Sequence, residues 1–248
     1  METAVITGAS RGIGHALASL LLDKGLRVYG IARTVPEDLL RNPHFEFLQL
    51  DLADSSAAST RLAKYFVQEQ GLPRVHYLFL NAGMFGERIM RVSDMSIDDI
   101  KSIIDVNLWS NKVVLDILIR SSVSIDTCVI SASLAGVRPR AGNSGYAISK
   151  AALNMMIKLY ALEHPSIFFA LLALCSVRSR LLDRSMYPPA DSTLFPDIAA
   201  FQQRAQVEGY RATPEQRAAD IYRVLTGPMR QQLVSGEFAD IKKLLATA

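Results

Sequence analysis

The sequence predicts an α/β protein with a single doubly wound, mostly parallel sheet and helices on both faces. Short apolar strands alternate with amphipathic helical stretches, and a glycine-rich turn joins the first strand to the first helix. No internal repeat, linker or low-complexity run interrupts this order. Parallel strands need helical crossovers, which cover both faces of a sheet. We therefore expect one domain over residues 1–248, with a substrate lid at about 176–212, where the alternation breaks.

Each predicted strand is a short apolar run that ends at a turn or at a helix-start signal. The following helices begin at capping residues: Asp54, a box-like Ser96–Asp99 start, and a Thr213–Gln216 box with proline at its first helical position. Tyr146 opens a long helical pattern. The predicted strands include residues 3–7, 26–32, 45–50, 76–80, 128–130, 167–174 and 232–239.

The composition argues against several classes of function. The net charge is only +3 and there is no basic stripe, so nucleic acid is not an expected partner. The four histidines are scattered and the two cysteines lie in apolar runs, which indicates neither a metal site nor a disulfide framework. No apolar run approaches the roughly 18 residues of a membrane span, and a strand begins at Thr3 without a signal peptide. A cytoplasmic enzyme without metal is expected.

The turn after the first strand is a candidate nucleotide site. Its sequence has the spacing G-x-x-x-G-x-G, not the usual dinucleotide pattern G-x-G-x-x-G, and an amphipathic helix follows. Backbone N–H groups and a helix N-terminus at such a turn can receive a phosphate, although glycines also occur in ordinary turns. At the first strand-to-helix crossover the cofactor interpretation is favoured. The candidate residues are Gly8, Ser10, Arg11, Gly12, Ile13 and Gly14.

The end of the second strand indicates which nucleotide binds. An NAD enzyme carries Asp or Glu there, which bonds the ribose 2′-hydroxyl and repels a 2′-phosphate. This chain has Ala32 followed by Arg33, and Arg11 adds a second cation. Because guanidinium groups bind phosphate in a bidentate manner, the pattern predicts NADP(H) in preference to NAD(H). The alternative is that both arginines are solvated surface residues.

The stretch Ser131–Lys150 is the candidate catalytic centre. Tyr146 and Lys150 are four residues apart on one helix, so they share a face. The Lys150 ammonium is expected to lower the pKa of the Tyr146 phenol toward a usable range. Ser133 follows a buried strand, at the edge where open α/β sheets bind ligands, and can bond the same reacting oxygen. The alternative is that Tyr146 and Lys150 have no catalytic role and lie at the ordinary exposed start of a helix.

Two further polar elements accompany apolar runs. Asn81–Gly83 ends the fourth strand with small residues that let a flat cofactor lie close to the backbone. Asn107 lies on the apolar face of a predicted helix, where a buried amide needs partners. Two roles stay open for Asn107, a structural hydrogen bond to the backbone and a water-mediated proton relay, and both can hold.

Together these motifs resemble the short-chain dehydrogenase/reductase (SDR) family over essentially the whole chain. The resemblance implies a Rossmann-type sheet of seven strands, a nicotinamide cofactor and a small carbonyl or alcohol substrate. It also implies assembly into dimers or tetramers on the helix after Tyr146, whose apolar residues are explained equally well by core burial. The matching motifs are Thr7–Gly14, Asp51–Leu52, Asn81–Gly83, Asn107, Ser133 and Tyr146-x-x-x-Lys150.

The resemblance implies a role for each member of a catalytic tetrad. Ser133 holds the substrate oxygen and Tyr146 gives it a proton while hydride passes from the nicotinamide to carbon. Lys150 lowers the tyrosine pKa and binds the nicotinamide ribose, and Asn107 orders a water. The other implied cofactor contacts are Asp51 and Leu52 at the adenine, Asn81, Ala82 and Gly83 at the adenosine ribose, and Val177 and Ser179 after the sixth strand.

Two departures from the family pattern stand out. Leu174–Cys175 replaces the usual Pro-Gly after the sixth strand, which leaves the path of that loop open. Ser235–Asp240 replaces a C-terminal Gly-Gly and faintly resembles the sepiapterin reductase and benzil reductase branch, so Asp240 is either a substrate residue or a solvated carboxylate at a strand end.

Arg138 and Arg140 border the site and either favour an anionic substrate or are solvated loop residues.

The sequence supports one function hypothesis above two others. An NADP-dependent carbonyl reductase explains why Ser133, Tyr146 and Lys150 occur together. A cofactor-binding regulatory or signalling protein with little turnover is the alternative, and the altered Leu174–Cys175 loop motivates it. A purely structural partner protein would require none of the three catalytic groups.

Overall fold

The computed structural model describes residues 1–86, 89–179, 183 and 189–247. In this part of the chain one sheet contains seven strands: β1 (Thr3–Thr7), β2 (Arg27–Ala32), β3 (Phe45–Gln49), β4 (Arg74–Leu80), β5 (Ser124–Ala132), β6 (Phe168–Ala173) and β7 (Phe238–Asp240). Their spatial order is β3-β2-β1-β4-β5-β6-β7, and every neighbouring pair is parallel. The predicted doubly wound α/β fold is confirmed.

Helices cover both faces of this sheet. They are α1 (Gly12–Asp23), α2 (Ser55–Ala63), α3 (Ile97–Ile104), α4 (Ser110–Arg120), α5 (Ser144–Glu163), α6 (Pro196–Gln206), α7 (Pro214–Thr226) and α8 (Ile241–Ala246). Side chains of α2, α4 and α5 join the apolar cluster on one face, and those of α1, α7 and α8 join the cluster on the other. Each helix is held by burial of its apolar stripe, the main favourable term in folding.

The strand order reverses at β1, which lies between β2 and β4. Such a switch point is where open α/β sheets bind ligands, outside the carboxyl ends of the strands. The glycine loop follows β1, Asn81–Gly83 follows β4, and Ser133 follows β5. The fold therefore brings three of the predicted site elements to one edge of the sheet.

The predicted helix starts are present as side-chain caps. The Asp54 carboxylate accepts hydrogen bonds from the N–H groups of Ser56 and Ala57 at the start of α2, and the Ser96 hydroxyl accepts from Asp99 at the start of α3. Thr213 and Gln216 form a reciprocal capping box at the start of α7. Each cap satisfies backbone donors that have no partner within the helix.

The helices are less regular than predicted. A π-helical turn, Lys64–Glu69, follows α2, and a second one, Asp105–Trp109, joins α3 to α4. π-helical turns occur often at functional sites, and the second of these carries Asn107. Short 3₁₀ turns lie at Leu39–Arg41, Val92–Asp94, Leu134–Gly136 and Pro228–Gln232.

The last strand was predicted wrongly at residues 232–239. β7 covers only Phe238–Asp240, because residues 234–237 form a turn in which Gly236 has φ 77° and the Glu237 N–H donates to the Val234 carbonyl. An apolar run with a glycine resembles a strand in sequence, but a glycine in the left-handed region breaks the extended backbone.

The predicted lid region, 176–212, is described only in part. Of its apolar residues, Leu181, Leu182, Met186 and Tyr187 lie outside the described residues. Phe195, Ile198 and Phe201 lie at or within α6. Over the ranges that the structure covers, no helix is long and apolar enough to span a membrane, and no group of three or more His, Cys, Asp or Glu could hold a metal ion.

Candidate active site

The glycine loop between β1 and α1 makes a tight turn that requires its glycines. Gly8 has φ 72° and its N–H donates to the Ile31 carbonyl at 2.7 Å. A Cβ on Gly14 would lie 2.3 Å from the Gly8 carbonyl oxygen, which no packing adjustment accommodates. The first turn of α1 is therefore pressed against the end of β1, as in loops that bring backbone N–H groups close to a phosphate.

The N-terminus of α1 is built to receive an anion. Arg11 at the N-cap makes no side-chain cap hydrogen bond, and the first turn contains no acidic residue. The N–H groups of that turn, among them Ile13, and the positive end of the helix dipole suit a pyrophosphate. Ser179 comes from the loop after β6, and its Cβ is 3.9 Å from where a Cβ on Gly12 would be. These residues fit a dinucleotide cofactor.

A polar network joins the carboxyl ends of β1, β4 and β5. The Thr7 hydroxyl accepts hydrogen bonds from the N–H groups of Asn81 and Ala82, both at 3.0 Å. The Asn81 amide donates to the Thr7 carbonyl at 3.2 Å and accepts from the Ser131 hydroxyl at 3.2 Å. Thr7 and Ser131 were not predicted as site residues, although each is a hydroxyl residue at or next to a strand end.

Asn107 is fully buried and holds the segment after β4. Its side-chain oxygen accepts from the Met84 N–H at 2.7 Å, and its amide donates to the Met84 carbonyl at 2.8 Å and to the Ser149 hydroxyl at 2.9 Å. Gly83 lies against this amide, since a Cβ on Gly83 would be 3.2 Å from the Asn107 oxygen. The predicted structural hydrogen bond to the backbone is present, with Met84 as its partner.

Ser133, Tyr146 and Lys150 converge as predicted. The Ser133 hydroxyl acts on the Tyr146 phenol and lowers its pKa, which shows that the two groups are neighbours. The Lys150 ammonium donates to the Ser131 carbonyl at 2.9 Å and lies 5.8 Å from the centre of the Tyr146 ring. Ser133 also caps the 3₁₀ turn after β5 by accepting from the Ala135 N–H at 3.2 Å, so its hydroxyl has a defined position.

The pKa of Tyr146 moves opposite to the expectation from its spacing to Lys150. Burial raises the pKa of the Tyr146 phenol, and the Ser133 hydrogen bond offsets only part of this effect. Burial also lowers the pKa of Lys150 to about 8, because a charged ammonium loses its hydration in the interior. The predicted net lowering of the tyrosine pKa is therefore wrong for this structure, because burial outweighs the effect of the neighbouring groups, and Tyr146 is a neutral phenol near pH 7.

An aromatic side chain that was not predicted lies against Tyr146. The Phe85 ring centre is 4.9 Å from that of Tyr146, with the rings tilted by 36°. Phe85 follows Met84, which the Asn107 side chain holds by hydrogen bonds, and it precedes Gly86. The φ of Gly86 is 106°, a backbone conformation that residues with side chains rarely adopt. Only the fold places Phe85 here, because its position follows from the Asn107 contacts and from the turn at Gly86.

The predicted nucleotide-selecting residues lie at the exposed edge after β2 and β3. Arg33 and Asp51 are both more than half exposed, with 3.8 Å between Nη1 and Oδ2. The Leu52 side chain is buried in the apolar cluster beside the sheet, and the contact of this residue with the adenine stays a prediction. Ser10 is half-buried in the glycine loop, and Arg11 is exposed.

The altered loop after β6 keeps a defined path. Cys175 has φ 58°, the left-handed conformation that a glycine adopts readily. Val177 is buried and pairs with Ala212, whose N–H donates to the Ser176 carbonyl at 3.1 Å. A non-glycine residue pays of order 1 kcal/mol for this conformation, so the surrounding contacts must hold Cys175 in place.

Asp240 has structural partners. Its carboxylate caps α8 by accepting from the Lys242 N–H at 2.9 Å, and it accepts from the Cys175 thiol at 3.2 Å. Burial and this carboxylate raise the pKa of Cys175 to about 11, so the thiol is not a reactive thiolate. Both contacts support a structural role for Asp240 at the end of β7.

The loop arginines differ in their surroundings. The Arg140 guanidinium lies 5.4 Å from the centre of the Phe201 ring on α6, a cation–π contact that ties this loop to the lid region. A Cβ on Gly142 would lie 2.8 Å from Phe195, so the loop and the start of α6 are in direct contact. Arg138 is exposed.

A protein-family model described as short chain dehydrogenase matches residues 2–175. The chain therefore belongs to the short-chain dehydrogenase/reductase family. Members of this family use nicotinamide cofactors, act on small-molecule substrates and are commonly oligomeric.

Among curated proteins, a benzil reductase ((S)-benzoin forming) of Saccharomyces cerevisiae is 36% identical over 176 residues, covering 65% of each chain. The alignment thus spans less than two thirds of that relative's length. A benzil reductase ((S)-benzoin forming) of Bacillus subtilis is 28% identical over 169 residues, covering 66% of this chain and 68% of the other. The chain lies near the benzil reductases within the family.

A solved short-chain dehydrogenase/reductase of Saccharomyces cerevisiae shares the fold, with a TM-score of 0.81, 22% identity and 99% coverage of both chains.

Proposed function

We propose that this protein reduces a carbonyl to an alcohol with NADPH, with Tyr146 as the general acid. The observation that carries the proposal is the convergence of Tyr146, Ser133 and the buried Lys150, whose ammonium lies 5.8 Å from the centre of the Tyr146 ring. These groups lie at the carboxyl edge of the sheet, next to the segment after β4 that Asn107 holds. A proton donor, a group that orients the reacting oxygen and a cation in one place suit proton transfer to a carbonyl oxygen.

Each residue has a task in this reaction. When bound, the nicotinamide cofactor supplies the hydride. Ser133 orients the carbonyl oxygen, and the neutral Tyr146 phenol donates its proton to that oxygen as negative charge develops. The Lys150 ammonium stabilises the phenolate that forms, and in the proposal it would also bond the nicotinamide ribose. Asn107 keeps Met84 and Ser149 in place around these groups.

The cofactor residues fall into two groups in this proposal. The α1 N-terminus and the loop at Val177 and Ser179 hold the pyrophosphate and the nicotinamide side. The exposed edge holds the adenosine end, with Arg11 and Arg33 at a ribose 2′-phosphate and Asp51 near the adenine. In the first group we propose backbone N–H donors from Ser10, Gly12, Ile13 and Gly14, whereas Gly8 shapes the turn and uses its N–H for the Ile31 carbonyl.

Replacing Arg33 by aspartate is expected to reverse the nucleotide preference. We expect the wild type to bind NADPH at least about tenfold more tightly than NADH, and Arg33→Asp to bind NADH more tightly, since a carboxylate repels a phosphate and accepts from a ribose hydroxyl. Fluorescence titration with both nucleotides measures this. Lys243→Asp, an equal charge change on α8, should keep the wild-type preference; the same shift in both variants would contradict the proposal.

The substrate we propose is an aryl ketone or aryl diketone. The Phe85 ring beside Tyr146 offers an apolar aromatic surface next to the proton donor, on which an aryl group can stack. The benzil reductases to which the chain is similar act on an aryl diketone by their names. We propose a single domain in which α6 and the other described residues of the region 176–212 form the lid over this substrate.

A carbonyl panel with NADPH tests the proposed function. Benzil and related aryl diketones should be reduced faster than aliphatic ketones of similar size, and pterins complete the panel. Binding of NADPH without reduction of any carbonyl would favour the alternative, a regulatory protein with little turnover. The altered loop no longer argues for this alternative, because the residues around Cys175 and Val177 follow a defined path in this structure.

We further propose a homo-oligomer in the cytoplasm, built on α5. Met155, Leu159 and Leu162 are 60%, 50% and 80% exposed, so core burial does not explain these apolar residues. Beside them is a groove of about 420 Å³ whose lining carries both signs of charge, from residues such as Lys112 and Glu163. A patch that is apolar at its centre and carries both charges suits pairing with a second copy.

Leu159→Glu is expected to shift this oligomer toward the monomer. A carboxylate in an apolar interface loses hydration without gaining a partner. Light scattering after size-exclusion chromatography measures the mass. Leu40→Glu, at another exposed leucine, should leave the mass unchanged. A wild type that is monomeric at all concentrations would contradict the proposal.

A further inference from the structure

The π-helical turn that carries Asn107 is bonded by two side chains from the next turn of helix. The Ser110 hydroxyl donates to the Val106 carbonyl at 2.6 Å, and the Asn111 amide donates to the Asn107 carbonyl at 2.7 Å. Both side chains are buried. A π-helical turn is wider than an α-helical one, so side-chain donors can hold carbonyls that the helix aligns poorly.

Asn111 is an unusual residue for a buried position in a helix. Its side chain is 1% exposed, and its Oδ1 accepts no hydrogen bond from the residues that the structure describes. A buried amide with an unused acceptor destabilises the fold relative to an apolar side chain of similar size. Local violations of this kind are expected where function, not stability, selects the residue. The bond that Asn111 does make is to the backbone of Asn107.

We propose that Asn111 is a positioning residue that holds Asn107 in its working orientation, an inference that rests on the proposed function. The Asn107 side chain contacts Met84, which follows the cofactor segment Asn81–Gly83, and Ser149, which precedes Lys150. A rotation of the Asn107 peptide would move both contacts. Asn111 thus acts on the site through Asn107 without touching substrate or cofactor.

The test compares two variants that differ by one oxygen. Asn111→Ala removes the donor, whereas Asn111→Ser restores a hydroxyl that can bond the carbonyl four residues back, as Ser110 does. We expect Asn111→Ala to lower kcat about tenfold or more, by analogy with outer-shell partners of functional groups. KM for the ketone and Kd for NADPH should change far less, and Asn111→Ser should recover most of kcat. Ser110→Ala is the matched control, because it removes the neighbouring bond of the same kind and should keep kcat.

A second measurement does not depend on turnover. The Asn107 oxygen accepts from the Met84 N–H, so hydrogen exchange at Met84 should be faster in Asn111→Ala and close to wild type in Asn111→Ser and Ser110→Ala. Unchanged exchange and unchanged kcat in Asn111→Ala would overturn the inference, as would equal losses in Ser110→Ala. A wild type that reduces no carbonyl would overturn the proposed function, and the exchange result would still decide the role of Asn111.

Discussion

Tyr146→Phe is expected to lower kcat for carbonyl reduction by about 10²–10⁴-fold, the usual contribution of a positioned general acid. The phenol is neutral near pH 7, because its ordinary pKa is near 10 and burial raises it further. Phenylalanine keeps the ring and its contact with Phe85 but removes the proton. Since the proposed nucleotide contacts lie mainly in the glycine loop and α1, Kd for NADPH should remain nearly unchanged. Single-turnover reduction of benzil at saturating NADPH measures the effect on the chemical step.

Tyr77→Phe provides the matched control for Tyr146. Tyr77 lies in β4 on the opposite face of the sheet, packed against the apolar cluster of α1 and α7. The same loss of a hydroxyl there should leave kcat unchanged. If Tyr146→Phe retained wild-type turnover, another group would have to donate the proton, and the assignment of Tyr146 would be wrong. A loss of NADPH binding together with turnover would indicate a wider change in the site.

Lys150→Met is expected to remove most of the turnover and also to change how stability depends on pH. Lys150 is 4% exposed, and its ammonium donates to the Ser131 carbonyl. Without this cation the phenolate that forms on Tyr146 loses its stabilising charge, and we expect kcat to fall by about 10²-fold or more. Lys158→Met, at a surface lysine of the same helix that pairs with Glu237, should keep kcat.

The pH dependence follows from the direction of the lysine pKa. Burial lowers the pKa of Lys150 to about 8 in the folded protein, whereas an unfolded lysine has a pKa of about 10.4. Between these values the unfolded chain binds a proton that the folded chain has released. The contribution of Lys150 to the free energy of unfolding therefore rises with pH across this window, by roughly 3 kcal/mol at most. Below pH 8 both states are protonated and the contribution is constant.

Urea unfolding of the wild type and of Lys150→Met at pH 7 and pH 10 measures this effect. Subtracting the two proteins cancels the buried tyrosines and cysteines, which titrate in the same range with the opposite sign. We expect the wild type to gain stability relative to the variant as pH rises. A difference that stayed constant between the two pH values would show that Lys150 has an ordinary pKa in the folded state.

The sequence by itself determined the features that depend on local chemistry. Alternating strands and helices predict a parallel sheet, and the Thr213–Gln216 capping box predicts the start of α7, because both patterns are set by neighbours in the chain. The glycine loop was predicted for the same reason, since Gly8 and Gly14 occupy positions that only glycine tolerates. Tyr146 and Lys150 share a helix face by their spacing alone.

Tertiary structure decided what depends on burial and on residues far apart in sequence. The pKa of Tyr146 rises because the fold buries it, which no four-residue spacing reveals. Cys175 holds a left-handed turn because distant groups, the Asp240 carboxylate and the backbone of Ala212, fix its loop. Asn107 finds Met84 and Ser149 only when α3, α4 and α5 meet. The chemical type of each side chain is known from the sequence, but its electrostatic environment and its hydrogen-bond partners are properties of the folded chain.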